Sequence, residues 1–395
     1  MSPPLHALTS LRFIAAIMVL FSHLGFAASS ESDTIRWLYV RFFYEGYIGV
    51  TFFFILSGFI LSYSYDQKSK ANKIDFIDFM SARIARIYPL HILTLLLAVP
   101  ISVMVSLKMT PLSNAIDTFL LNASLTQSFS YSQETYFSFN APSWSLSVEM
   151  FFYLLFPVFI RMKTTHIIFI ALFILALKYC TDRDAGSTPI HYIMYIAPGL
   201  RVPDFILGLI LFRIFDKYNK PDVMLATALQ FSSLILLAVA FYFGKYVDQN
   251  YKYDTYYMIP MGLTVLAFSY QNGCLARGLS NKALVTLGEA SFALYLIHQL
   301  VIRHGELLRL SVFDMTGPTS EIFFIVIYAA SSIGLSYFLF TRFEMRAKTK
   351  TLNFLRAMRN PKSDELSSHE RVLERLENNN SKNPDLIVPL PVPTS

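Results

Sequence analysis

Long apolar runs recur along the whole chain, and several approach the roughly 20 residues that a helix needs to cross a bilayer. They lie near residues 11–28, 46–65, 87–107, 144–161, 166–180, 191–213, 223–244, 255–270, 283–302 and 322–341. Ala115–Leu125 reads as a further interfacial or re-entrant segment. In lipid each run must satisfy its own backbone N–H and C=O groups, so a helix is the expected conformation of each. The expected fold is all-α: a polytopic membrane helix bundle with about ten transmembrane helices. Composition agrees, since 54 % of the 395 residues are hydrophobic and only 15 % are charged, below the ~25 % of soluble domains. A disordered or nucleic-acid-binding chain is thereby excluded, despite a net charge of +6.

The positive charge carries topology first. With the N-terminus inside, Lys68, Lys70, Lys73, Arg83, Arg86, Arg161, Lys163, Arg213, Lys217, Lys220, Arg277, Lys282, Arg342, Arg346, Lys348 and Lys350 share one side. The loop from Lys108 to Pro142 lies on the other with one basic residue. This bias predicts that both termini are cytoplasmic. The first run is followed by Phe26-Ala27-Ala28-Ser29, which resembles a cleavage site, but no Lys precedes it and it carries Arg12 and His23. It reads as a retained helix. Residues 1–345 form the expected membrane domain, and 346–395 the expected cytoplasmic polar tail, disordered on composition. Cys180 and Cys274 cannot make a disulfide framework, and no Cys/His spacing suits a metal.

Ionisable side chains inside apolar runs are costly and mark candidate sites. Arg12 and His23 are eleven residues apart, which returns to within about 20° of one helix face over a rise of about 16 Å. Arg83 and Arg86 are i,i+3 neighbours at the start of the third run, where paired guanidiniums suit a phosphate as well as a positive-inside anchor. Glu149 stands in the aromatic fourth run after Ser143, Trp144, Ser145 and Ser147, with no basic neighbour in sequence. Its partner must come from another helix, and it is a candidate for orienting His23. Arg201 and Asp204 flank Pro203 beside Pro198 and Gly199, predicting a broken helix that either lines a cavity or neutralises its own charges. Glu289 and His298 in the ninth run fall on opposite faces and cannot pair directly.

Four patterns, in order, resemble one family: Leu8-Thr9-Ser10-Leu11-Arg12-Phe13 with His23; Gly49-Val50 through Phe54-Ile55-Leu56-Ser57-Gly58-Phe59; Arg83-Ile84-Ala85-Arg86-Ile87-Tyr88-Pro89; and Trp144-Ser145-Leu146-Ser147-Val148-Glu149 with Phe152-Tyr153. Together they resemble the integral-membrane acyltransferase 3 group, which O-acylates cell-surface polysaccharides and related glycans, over roughly residues 5–345. The segment Ser291 to His298 resembles the group's Ser-Tyr-x-x-Tyr-x-x-His type, with Phe292 where Tyr is usual.

The resemblance implies a multi-pass protein of a bacterial-type inner membrane that takes an acyl group from cytoplasmic acyl-CoA, usually acetyl-CoA, to a sugar hydroxyl. It implies donor binding by Arg12, Arg83 and Arg86 and catalysis by His23. Glu149 is expected to fix the imidazole tautomer, and Ser143, Trp144, Ser145 and Tyr153 to contact substrate. No metal is expected. Some members carry an additional esterase-like domain; in this chain the membrane domain is expected to act alone or with a separate partner, including polysaccharide-assembly proteins. A glycan transporter or flippase, and a silent subunit of an assembly complex, are the competing functions.

Overall fold

The computed structural model describes residues 3–106, 112–180, 190–218, 220–253, 255–311 and 317–359. Among these residues every regular element is helical. The principal helices are α1 (His6–Ser22), α2 (Gly49–Lys70), α3 (Phe76–Ser106), α4 (Trp144–Phe159), α5 (Thr164–Cys180) and α6 (Val202–Lys217). They are followed by α7 (Val223–Phe243), α8 (Thr255–Ser269), α9 (Lys282–Glu289), α10 (Ser291–Ser311), α11 (Pro318–Leu339) and α12 (Met345–Arg359). The apolar runs fall on these helices, although the first continues past α1 into a 3₁₀ turn (Gly25–Ser29), the sixth crosses two irregular turns before α6, and the ninth spans two helices. Among the described residues, five helical stretches are long and apolar enough to cross a bilayer, or up to six when α9 and α10 are counted as one bent span. The apolar helices α1 and α5 have 17 residues each.

Burial inverts the pattern of a water-soluble bundle. Large apolar side chains such as Phe169, Leu172, Ile235 and Val326 point outward, whereas Arg201, Asp204, His298 and Ser145 are buried. That arrangement suits lipid as the surrounding solvent, because polar groups find partners only within the protein. α2 and α6 cross at closest approach through Gly58 and Gly208. A Cβ on either would overlap a carbonyl of the other helix, Phe205 O or Ile55 O. Backbones meet this closely only where side chains are absent, and dispersion contacts then hold the pair. Phe54, Phe152 and Phe205 pack beside this crossing, with Phe152 stacked on Phe205 at 4.9 Å.

Breaks in the helices follow from identifiable residues. α3 passes through Pro89 and Pro100, each of which removes a backbone donor. Below Pro89, buried His91 donates Nε2–H to Asn122 O at 2.9 Å and tethers the helix Leu112–Ala123, the segment expected near 115–125. Before α6 the chain makes a π turn over Tyr192–Ile196 and a 3₁₀ turn over Pro198–Arg201, as the Pro/Gly cluster predicts. Arg201 and Asp204 pair at 2.9 Å in full burial. The guanidinium also donates to Thr51 Oγ1 at 2.8 Å and to Tyr253 O at 3.2 Å, so the pair ties α6 to α2 and to the 249–253 turn. α9 and α10 bend by 63° at Ala290.

Part of the segment expected as disordered tail is helical. A π turn over Phe340–Glu344 runs on into α12, so residues 346–359 are helix and not disordered tail. The helix lies along α3. At its end Arg359 donates to both carboxylate oxygens of Asp75 and to Asp78, each at 2.9 Å. That hydrogen bonding holds the Asp75 carboxyl below the usual carboxylate range. The rest of the expected tail, 360–395, lies outside the described residues.

Candidate active site

α1 carries a cation near one end and an imidazole at the other, and each faces its own cavity. The first, with a volume of about 220 Å³, is lined by Arg12, Ser57, Arg83, Arg86, Ser145, Glu149, Tyr153, Ser291 and Tyr295, among others. The second, about 240 Å³, is lined by His23, Tyr47, Trp144, His191, Tyr195, Gln249, Tyr253 and Tyr295 with several smaller or apolar residues. Val50 and Tyr295 belong to both linings and stand where the cavities adjoin. Tyr295 is held there by Ser145, with the two hydroxyls 2.8 Å apart, and it donates to Pro142 O at 3.2 Å.

The Arg12 cavity is electropositive. Arg83 sits over the rings of Phe79 and Tyr153 at 5.9 and 5.8 Å, and its Nε is buried without a hydrogen-bond partner. Among the described residues no carboxylate pairs with Arg12 or Arg83, whereas Arg86 pairs with the buried Glu344. Lys348 of α12 is close enough to feel the charges of Arg83 and Arg86. Glu149 accepts from Ser57 Oγ at 3.1 Å and from Tyr153 OH at 2.6 Å. Three guanidiniums and one carboxylate, Glu149, thus line this cavity, and Glu344 pairs with Arg86. An orphaned buried Nε and a surplus of guanidinium donors fit the phosphates of an anionic donor such as acyl-CoA.

At the other end, hydrogen bonds assign the imidazole protons. His23 caps α1, and its Nδ1 lies 2.8 Å from Val19 O, which can only accept. His298 Nδ1 lies 3.1 Å from Leu294 O, again an acceptor. Both neutral rings therefore carry the proton on Nδ1. His298 Nε2 is left as an acceptor, 3.3 Å from His23 Nδ1. His23 Nε2 is then an unprotonated ring nitrogen with its lone pair available. When that atom takes a proton, the charge is shared with an Nδ1–H already directed at Val19 O and His298 Nε2. The His23 tautomer is thus set by Val19 O, with His298 Nε2 as a second acceptor, an arrangement that a general base could use.

The sequence-derived candidates divide between the cavities. Arg12, Arg83, Arg86, Ser145, Glu149 and Tyr153 line the cationic cavity, and His23 and Trp144 line the other. Glu149 directs its hydrogen bonds to Ser57 and Tyr153, while the ring that reaches His23 is His298. Ser143 lines neither cavity; its hydroxyl accepts from Gln127 Nε2 at 3.2 Å. Sequence reasoning left His298 unassigned and missed Tyr295, Glu344 and Lys348. The signal for the first two was present: Ser291, Tyr295 and His298 are spaced by four and three residues, one face of a helix. Glu344 is an acid embedded in the basic cluster that follows the last apolar run.

Comparison with known proteins fits this geometry. The sequence matches the acyltransferase domain family over residues 5–341. It is 30 % identical over 321 residues to Acyltransferase MdmB of Streptomyces mycarofaciens, covering 76 % of this chain and 80 % of that protein. It is 26 % identical over 324 residues to O-acetyltransferase OatA of Staphylococcus aureus (strain NCTC 8325 / PS 47), covering 75 % of this chain and 50 % of the relative, so the match spans half of OatA's length. No solved structure matches.

Proposed function

The chain belongs to the acyltransferase domain family, and from that premise we propose that it is a membrane O-acyltransferase moving an acyl group, acetyl by default, from cytoplasmic acyl-CoA to a sugar hydroxyl of an envelope or exported glycan. The observation that carries this reading is the placement of an arginine-rich cavity and a tautomer-fixed histidine at the two ends of α1, adjoining at Tyr295. In this reading about ten passes cross a bacterial-type inner membrane with both termini cytoplasmic, which puts Arg12, Arg83 and Arg86 at the face where acyl-CoA is found.

Arg12, Arg83, Arg86 and Lys348 hold the donor phosphates, and the acyl-pantetheine arm extends along α1 toward Tyr295. The rise of about 16 Å between residues 12 and 23 is within reach of such an extended arm. His23 Nε2 takes the proton of the acceptor hydroxyl as its oxygen attacks the thioester carbonyl. The C–O bond forms, the C–S bond breaks, and the proton passes to the departing thiolate. His298 positions His23 throughout. The Tyr295 and Ser145 hydroxyls both engage Pro142 O, and rotation of either would turn a neutral donor to a developing oxyanion. Glu149, through Tyr153 and Ser57, fixes the wall on which Arg83 rests. Ser143 and Trp144 contribute by position: Ser143 anchors the turn before α4, and Trp144 presents its ring to the acceptor.

The deciding experiment is incubation of purified protein in lipid nanodiscs with radiolabelled acetyl-CoA and a glycan. Label on the glycan supports the enzyme; glycan movement across a vesicle membrane without label transfer points to a transporter and overturns it. Stable copurification with glycosyltransferases and no transfer points instead to a silent subunit.

A further inference from the structure

The cavity around His23 is walled by rings. Tyr195 is its hub, with ring centroids 4.8 Å from Trp144, 5.8 Å from Tyr47 and 5.5 Å from Tyr253. His191 stands edge-on to Tyr253 at 4.9 Å. Gln249 donates Nε2–H to Tyr47 OH at 2.8 Å, adding a neutral amide to a set of neutral phenols. Among the described residues no Asp, Glu, Lys or Arg lines this space.

The nearest charges are turned elsewhere. Arg201 lies behind Tyr195, 5.5 Å from its ring, and is bound to Asp204. Glu45 is engaged by Lys252 Nζ at 2.6 Å and by Tyr257. Arg303 donates to Phe139 O at 2.7 Å. A volume of about 240 Å³ holds roughly eight waters' worth of matter, the scale of one sugar ring with its hydroxyls.

We propose that this cavity binds the acceptor as a single uncharged sugar ring, stacked by its C–H face on the aromatic wall, and that it excludes units bearing a carboxylate or phosphate. The proposal rests on the reading of His23 as the base for a sugar hydroxyl. Stacking uses the apolar face that a pyranose presents, and its hydroxyls exchange hydrogen bonds with Tyr47, Gln249 and His191. An ionised substituent would give up its water with no cation to replace it, which disfavours it strongly in such surroundings. The site thereby discriminates by what it withholds.

The test uses full-length protein in nanodiscs with radiolabelled acetyl-CoA and two oligosaccharide acceptors that differ only at C6, one a hexose and one its uronic acid. The neutral acceptor is expected to give a kcat/KM at least thirtyfold higher. Gln249→Arg, which supplies a counter-cation, is expected to narrow that ratio at least tenfold. Tyr253→Leu should raise the KM for the neutral acceptor about tenfold, with Tyr253→Phe close to wild type. Equal transfer to both acceptors overturns the exclusion, and equal acceptor KM for the Leu and Phe variants overturns the stacking. The matched acceptors need only the wild-type protein, so a variant that fails to fold leaves that arm decisive. Hydrolysis of acetyl-CoA with transfer to neither sugar, nor to any other glycan tried, overturns the underlying assignment of the acceptor as well.

Discussion

The cavities at the two ends of α1 are similar in size and opposite in character. One is lined by Arg12, Arg83 and Arg86 against Glu149; the other has rings, an amide and two imidazoles, with no charged side chain among the described residues of its lining. In the proposed reading, this difference lets one membrane bundle keep a donor and an acceptor apart. A cation cluster recruits by charge and is built from residues that lipid makes rare. An aromatic chamber recruits by shape and is built from residues that lipid tolerates everywhere.

The largest expected effect is at the histidine of the neutral cavity. His23→Ala should lower glycan acylation by about 10²- to 10⁴-fold, the range for loss of a general base, while the protein still inserts. Mass spectrometry of the glycan, with size-exclusion profiles as the folding control, checks this, and near-normal acylation would falsify the catalytic role. Next comes the cationic side. Arg83→Ala combined with Arg86→Ala removes two charge-assisted donors, each worth ~1.5–3 kcal/mol. The apparent KM for acyl-CoA should therefore rise by tenfold or more, with acceptor KM little changed. An unmoved donor KM would return both residues to a purely topological role. Since Arg86→Ala also strands the buried Glu344, the double variant should be compared with one that adds Glu344→Gln, which is expected to recover stability but not donor affinity.

A smaller effect tests the ring behind the base. His298→Ala should reduce kcat about tenfold to a hundredfold by freeing the His23 ring, and His298→Gln, whose amide oxygen still accepts a hydrogen bond, should restore part of it. Equal kcat for the two variants would reduce His298 to packing. The smallest effect lies at the clasp of α12. Asp75 has its carboxyl held below its ordinary range by Arg359, so the clasp contributes above the unfolded carboxylate pKa and is lost as pH falls through the lower folded value. Limited proteolysis should cut α12 faster at such acid pH, and Arg359→Ala should show the same susceptibility at neutral pH. A wild-type cleavage pattern for Arg359→Ala would remove the clasp from consideration.

Helical architecture was legible because bilayer thickness and backbone satisfaction leave little choice, and all ten apolar runs landed on helices. The cationic cavity was legible for a related reason: Arg12, Arg83, Arg86 and Glu149 stand out against apolar neighbours. What resisted reading was the neutral half. Tyr47, Tyr195 and Tyr253 are three of 23 tyrosines, and nothing local separates a ring that lines a cavity from one that faces lipid. His298 was compared with Glu289, on the opposite face, when its relevant partner was 275 positions away on α1. α12 was placed in the tail together with the polar sequence that follows it; its docking depends on Asp75 and Asp78, far earlier in the chain.

The Arg86–Glu344 pair has one further consequence. A protein that keeps a strongly cationic cavity inside a membrane faces the problem of standing empty, and here a carboxylate of its own chain already sits among the guanidiniums. In the proposed reading, arrival of an anionic donor is then an exchange of counterions, in which a tethered one yields to a diffusible one. Donor affinity would accordingly be a difference between two attractions, and the helical turn before α12 that carries Glu344 would set the second of them.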